Sequence, residues 1–201
     1  NLPITTAMKL ANQAASQVVG KVGNSFVTID DINNSFNREK INLKQFNFKN
    51  EKDILISVKK IKESNKTIVM TNGCFDIIHP GHLHLFKQAK TLGEFLIVAI
   101  NDDKSVRRLK GKSRPINDLK SRVKILEAIK HVDAVVVFKE DTPEKIIRII
   151  SPDILVKGGD YNMDQVIGAK YVTSKGGKVK IIKFLKGHSS TSIINKTLKT
   201  K

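Results

Sequence analysis

The sequence predicts a parallel α/β sheet covered by helices on both faces, and three observations carry that prediction. Downstream of Thr67, short apolar runs alternate with segments of helical periodicity. The runs are continuously apolar rather than alternating, as in F-L-I-V-A-I-N at 95–101, which is the pattern of strands buried on both faces. The polar and glycine-rich motifs fall directly after the runs, at the carboxyl edge of such a sheet, where ligands bind near the point at which strand order reverses.

Taken in order, Thr6 to Val19 reads as a helix, with Ala7, Leu10, Ala11, Ala14, Ala15 and Val18 on one face. Gly20, Gly23 and a short β-like Phe26-Val27-Thr28 follow, and residues 37–50 are polar and Asn/Lys-rich, as linkers are. The chain therefore divides into an appended helical piece at 1–36, a linker at 37–50 and a main domain at 51–201. Ile54 to Ser64 is amphipathic, with Ile54, Leu55, Val58 and Ile61 inward. Strands are expected at 67–72, 95–101, 133–138, 153–157 and 178–184, and helices near 82–92, 117–131, 142–151, 164–175 and 190–199.

Composition narrows the function classes. An apolar fraction of 40% fills a real core, yet no window reaches the roughly 18 apolar residues of a membrane span. The first forty residues lack the compact apolar block of a secretory leader, and an opening without Met fits a processed or internal piece. A lone cysteine, Cys74, excludes an internal disulfide framework and fits a reducing cytoplasm. The net charge of +17 fits nucleic acid, a small polyanionic substrate or simply a lysine-rich surface. Aromatic residues at 5% and the lack of Trp leave little for base stacking, which argues against nucleic acid as the partner. The positive charge is also local: Lys104 to Lys124 holds nine basic residues against the single acid Asp118.

The chemistry concentrates in T-N-G-C-F-D-I-I-H-P-G-H, Thr71 to His82. A strand feeds a glycine turn, and two histidines flank Pro80-Gly81 at the start of a helix, whose unpaired first-turn N–H groups and positive dipole favour anions. His79 and His82, three apart, can face one phosphate as donors, whereas His84 points elsewhere on the helix. Gly73 permits close backbone approach. Asp76 is either a turn or helix-capping aspartate, or a residue that binds a substrate hydroxyl or helps orient a phosphate-bound metal, and Cys74 reads most simply as a small core residue. Three further clusters sit at other strand ends: Lys157-Gly158-Gly159-Asp160-Tyr161, the hydroxyl run Ser189-Ser190-Thr191-Ser192 before the last helix, and the basic Lys110-Gly111-Lys112-Ser113-Arg114-Pro115.

Together, T-N-G-C-F-D-I-I-H-P-G-H, L-V-K-G-G-D-Y and G-H-S-S-T-S-I-I resemble the nucleotidyltransferase family with the H-x-G-H signature, over roughly 67–199. The resemblance implies a Rossmann-like fold similar to the catalytic domain of class I aminoacyl-tRNA synthetases. N-D-D-K-S-V-R-R-L-K-G-K-S-R-P-I-N and E-D-T-P bring it nearest to members that adenylylate a heptose 1-phosphate for lipopolysaccharide synthesis. In those members the transferase follows a ribokinase-like sugar kinase, and Ala7 to Thr28 resembles that kinase's last helix and tail, so a missing N-terminal kinase domain is the implied partner. The family usually shows S-T-T where this chain has Ser189-Ser190-Thr191, a change that keeps the hydroxyl. By resemblance, ATP and heptose 1-phosphate are the substrates and Mg²⁺ rides mainly on the ATP phosphates, with no dedicated metal ligands. The resemblance places His79, His82, Lys110 and Arg114 in catalysis. It lines the nucleotide with Gly73, Cys74, Phe75, His79, His82, Gly158, Gly159, Asp160, Ser189, Ser190 and Thr191, and the sugar phosphate with Asp76, Lys157 and Arg122. A homodimer is consistent with it. A cytidylyltransferase acting on glycerol or ethanolamine phosphate is the alternative within the family, and a basic RNA-binding module is the alternative outside it.

Overall fold

The computed structural model describes residues 48–159 and 162–183. Its strands are β1 (Ile68–Gly73), β2 (Phe95–Asn101), β3 (Ala134–Phe138), β4 (Ile154–Gly158) and β5 (Lys178–Ile182). They form one sheet in the order β3-β2-β1-β4-β5, and every pairing is parallel. The chain adds strands outward on one side of β1, then crosses over and adds β4 and β5 on the other. The reversal leaves a crevice at the carboxyl ends of β1 and β4, the place where such sheets bind ligands.

The helices are α1 (Glu51–Glu63), α2 (Pro80–Lys90), α3 (Asp103–Lys110), α4 (Leu119–Glu127), α5 (Glu144–Ile150) and α6 (Ala169–Ser174). Among the described residues, none is long and apolar enough to cross a membrane. Leu85, Phe86 and Ala89 of α2 and Leu126 of α4 pack with Val69, Leu96, Val98, Ile100 and Val156 of the central strands into one core cluster. Side chains alternate across a strand, so the buried Ile68, Met70, Ile97 and Leu155 face the other way, where the buried faces of α1 and α5 contact each other. All seven residues of β2 are buried, which is why that strand reads as an unbroken apolar run.

Two aspartates pin the strand starts. Asp153 accepts from the Ile68 backbone N–H at 2.7 Å and its own N–H donates to the Ile68 carbonyl at 3.0 Å. Asp133 repeats the arrangement on Leu96, at 2.7 and 3.0 Å, and also pairs with Lys90. Ile68 is fully buried, so Asp153→Ala leaves its N–H without a partner, at a cost of about 1–3 kcal/mol. The expected result is a lower urea midpoint with an unchanged slope; an unchanged midpoint would show that the strand start is held by something else.

The five expected strands are present within a residue or two of their predicted bounds. Three features differ. No helix was expected between the strand at 95–101 and the helix near 117–131, but Asp103–Lys110 is helical, capped by Asp102, whose side chain accepts from Ser105 N–H. Only Ser105 and Val106 of that helix are buried, so no apolar periodicity announced it. Leu55 is 50% exposed rather than inward, and Ser57 takes a buried place on α1 instead. The segment expected as one helix at 164–175 is a 3₁₀ turn, Met163–Gln165, followed by α6. The expected helices at Thr6–Val19 and 190–199, and the pieces at 1–36 and 37–47, lie outside the described residues.

Candidate active site

The turn after β1 builds the site's central wall. Phe75 adopts φ +46°, a strained conformation for an aromatic residue, and this folds its ring back over Gly73. A Cβ at Gly73 would lie 3.1 Å from Phe75 Cζ, so a glycine lets the ring settle there. The ring is 5% exposed and meets His82 edge-on at 5.2 Å and Phe86 at 5.1 Å. The Phe75 side chain, expected along the nucleotide, is therefore core, and it backs His82 from behind.

His79 occupies the N-cap position of α2 and Pro80 the first turn, with no acidic residue there to neutralise the dipole. The His79 and His82 rings stack with centroids 3.7 Å apart and an interplanar angle of 26°. Burial, aided by the neighbouring His79 charge, pushes the His82 pKa down to about 4. His82 is thus a neutral imidazole near pH 7, with a buried Nδ1 that finds no partner among the described residues. The pair stands at the N-terminus of a helix with no acidic residue in its first turn, where the positive dipole end favours an anion.

On the β4 side of the crevice, Lys157, Gly158 and Gly159 follow one another at the strand's carboxyl end. Lys157 Nζ donates to the Asn72 carbonyl at 3.5 Å. Burial first, then the charge of Lys110, lowers its pKa. Gly159 has φ +134° and donates to the Ile182 carbonyl at 2.9 Å. Cys74 stands at the end of β1 between these groups. Burial pushes its thiol up, against the pull of Lys110, Arg122 and Arg114. Three basic side chains from α3, α4 and the segment between them thus converge on one strand end.

That segment, Gly111–Asp118, is a strap fastened to Asp76. The Asp76 carboxylate accepts from Arg114 Nε at 2.5 Å, from Ile116 N–H at 2.8 and 2.9 Å, and from Asn117 N–H at 2.9 Å. Asn117 Nδ2 returns to the Asp76 carbonyl at 2.6 Å. Burial raises the Asp76 pKa, but the Asn117 and Ile116 N–H groups and Arg114 outweigh it and hold the carboxyl below its usual range. At 2% exposure its acceptors are spent on the strap. The expectation that Asp76 binds a sugar hydroxyl is corrected accordingly: here it is a structural clamp.

Arg122 is corrected in the same way. Expected to reach the sugar phosphate, it is fully buried. Its Nε donates to the Asn117 carbonyl at 3.1 Å, Nη1 to the Cys74 and Asn101 carbonyls at 2.7 and 2.9 Å, and Nη2 to Asp103 Oδ1 at 2.7 Å. One guanidinium ties the carboxyl ends of β1 and β2 to α3 and the strap. Beneath it lies a polar knot that the sequence reading missed. Asn101 Nδ2 donates to Ser105 Oγ at 2.9 Å and Ser105 Oγ to the Glu140 carbonyl at 3.0 Å, while Cys74 Sγ lies 3.9 Å from Asn101 Oδ1. Only its position at the end of β2 hinted at Asn101, and nothing in the spacing pointed to Asn117 on the strap. Lys110 is exposed at the end of α3, and His84 is half-buried further along α2. Asp160, Ser189, Ser190 and Thr191 lie outside the described residues.

Comparison with known proteins agrees with the fold. The chain is 47% identical over 190 residues to the Bifunctional protein HldE of Marinomonas sp. (strain MWYL1), covering 94% of this chain and 40% of the relative. It is 46% identical over 192 residues to the protein of the same name from Coxiella burnetii (strain RSA 493 / Nine Mile phase I), covering 96% of this chain and 40% of that one. The chain thus spans about 40% of the length of these relatives. A solved structure, the lipopolysaccharide core biosynthesis protein from Thermoplasma volcanium GSS1, superposes with a TM-score of 0.51 at 32% identity, covering 61% of this chain and 99% of that one. A family model described as Cytidylyltransferase-like matches residues 70–196, which take in β1, the histidine pair, the strap and both edges of the crevice, and on that match the chain belongs to the cytidylyltransferase-like nucleotidyltransferases.

Proposed function

We propose that the chain transfers AMP from MgATP to the phosphate of D-glycero-β-D-manno-heptose 1-phosphate, giving ADP-heptose and pyrophosphate in the cytoplasm. The observation that carries this reading is the stacked His79–His82 pair at the uncompensated N-terminus of α2, opening onto the crevice between β1 and β4. That arrangement suits a triphosphate, with magnesium arriving on its oxygens. The heptose acceptor rests on the resemblance of Asn101 to Asn117, Glu140 to Pro143 and Leu155 to Tyr161, and a structural relative named for lipopolysaccharide core biosynthesis supports it. The relatives' name, Bifunctional protein, and their greater length support a second, kinase domain as the partner.

An oxygen of the acceptor phosphate attacks the α-phosphorus of ATP in line. The new O–P bond forms as the bond to the β-phosphate oxygen breaks, and its electron pair leaves with pyrophosphate. The nucleophile is already an anion, so no strong base is required. The protein's task is positioning and stabilisation of charge on the α-phosphoryl and leaving oxygens. His79, His82 and the α2 N–H groups supply that stabilisation, and Gly158 and Gly159 offer a flat backbone surface to the nucleoside. Pyrophosphate release with ATP or CTP, each against heptose 1-phosphate or glycerol 3-phosphate, tests the reading. Turnover only with ATP and the heptose is expected; turnover with CTP and glycerol 3-phosphate instead would sink it.

A further inference from the structure

The Arg114 guanidinium is held in an unusual state of half-satisfaction. Its side chain is 16% exposed and its Nε is paired with Asp76. Among the described residues, no hydrogen bond engages its two Nη groups. Its outer donors reach solvent, so they stand open to a ligand while Asp76 holds the guanidinium by Nε. Its direction is also fixed. The strap runs from α3, which follows β2, to α4, which packs on β3. Arg114 therefore approaches the end of β1 from the β2 side, opposite to β4. A nucleotide lying across the β1–β4 crevice leaves the β2 side for the second substrate.

We propose that Arg114 reads the acceptor's phosphate, that Asp76 is the positioning residue that aims it, and that this pair selects acceptors carrying a phosphate monoester. The assignment of the two substrates rests on the adenylyltransferase reading above. The chemistry is that of a planar fork: Asp76 fixes Nε, and both Nη groups remain for two oxygens of one phosphate. Lys110 and Lys157, which also act on Cys74 and on each other, add positive potential on the flanks without offering that fork. Asp76 and Arg114 are separated by 38 positions, so neither motif by itself announces the pair.

The test is calorimetric titration of the 201-residue chain with heptose 1-phosphate and with glycerol 3-phosphate, each at saturating α,β-methylene-ATP, and with the analogue alone. Arg114→Gln should weaken the phosphate monoester that binds by about 10- to 100-fold, the worth of a charged hydrogen-bonded pair, and leave the analogue's affinity nearly unchanged. Arg114→Lys keeps charge and bulk, guards against a folding artefact, and should not restore binding. Asp76→Asn should weaken the monoester and spare the nucleotide. Equal loss of nucleotide affinity, an unchanged monoester affinity, or no monoester binding to the wild-type chain would each overturn the proposal. If glycerol 3-phosphate binds in an Arg114-dependent way and the heptose does not, the heptose reading falls and the role of Arg114 stands.

Discussion

His82→Ala is expected to lower the proposed AMP transfer by about 10²- to 10³-fold, the loss typical of removing one donor aimed at developing charge. The folded state should persist, because His82 is a desolvated imidazole with a buried Nδ1 lacking a partner among the described residues. Pyrophosphate release and circular dichroism together check this, and activity within a few-fold of wild type would remove His82 from the mechanism. The same residue sets a pH dependence. Its pKa falls from 6.5 to about 4 on folding, so between those values the unfolded chain binds more protons than the folded one. Stability contributed through His82 is therefore present above pH 6.5 and declines as pH falls toward 4, by a total on the order of 3 kcal/mol. A bound triphosphate reverses the electrostatics, since an adjacent anion favours the imidazolium. Titrations of ATP at pH 5.5 in two buffers of different ionisation enthalpy should then reveal proton uptake.

Arg122→Met should be the most destabilising single substitution at the site, by about 3–5 kcal/mol, the range for breaking a buried ion pair from one side. Three backbone carbonyls, on Cys74, Asn101 and Asn117, lose their donor, and Asp103 loses its cation. Asp103 is 27% exposed and recovers some hydration, which favours the lower end of that range. Arg122→Lys keeps the charge but cannot span β1, β2, α3 and the strap at once, so it should recover only part of the loss. Urea denaturation measures both. A change under about 1 kcal/mol, as for a surface pair, would contradict the role of Arg122 as the tie beneath the site.

The contrast between Arg114 and Arg122 shows where reading the chain stops. Both lie in one basic stretch, eight positions apart, and both look like phosphate ligands. Tertiary structure separates them: α4 turns Arg122 inward under two strand-end carbonyls and a third on the strap, while the strap holds Arg114 by its Nε alone on the β2 side of β1. Asp76 likewise reads equally as turn or ligand until Ile116 and Asn117, forty positions on, arrive to consume its oxygens. Phe75 belongs to a nucleotide-binding motif by position, yet its positive φ sends the ring into the core.

The sequence by itself determined the parallel sheet, the strand positions and the strand–turn–helix layout that brings His79 and His82 to the start of α2. These depend on local facts: continuous apolar runs, a glycine where the backbone must come close, and histidines at a helix start. The tertiary structure alone decided the strand order that opens the crevice between β1 and β4, the helical state of Asp103–Lys110, and which charged groups are spent on the fold. The physical reason is that a charged side chain's role depends on which donors, acceptors and solvent surround it. Those neighbours come from distant segments, so no spacing within a motif encodes them.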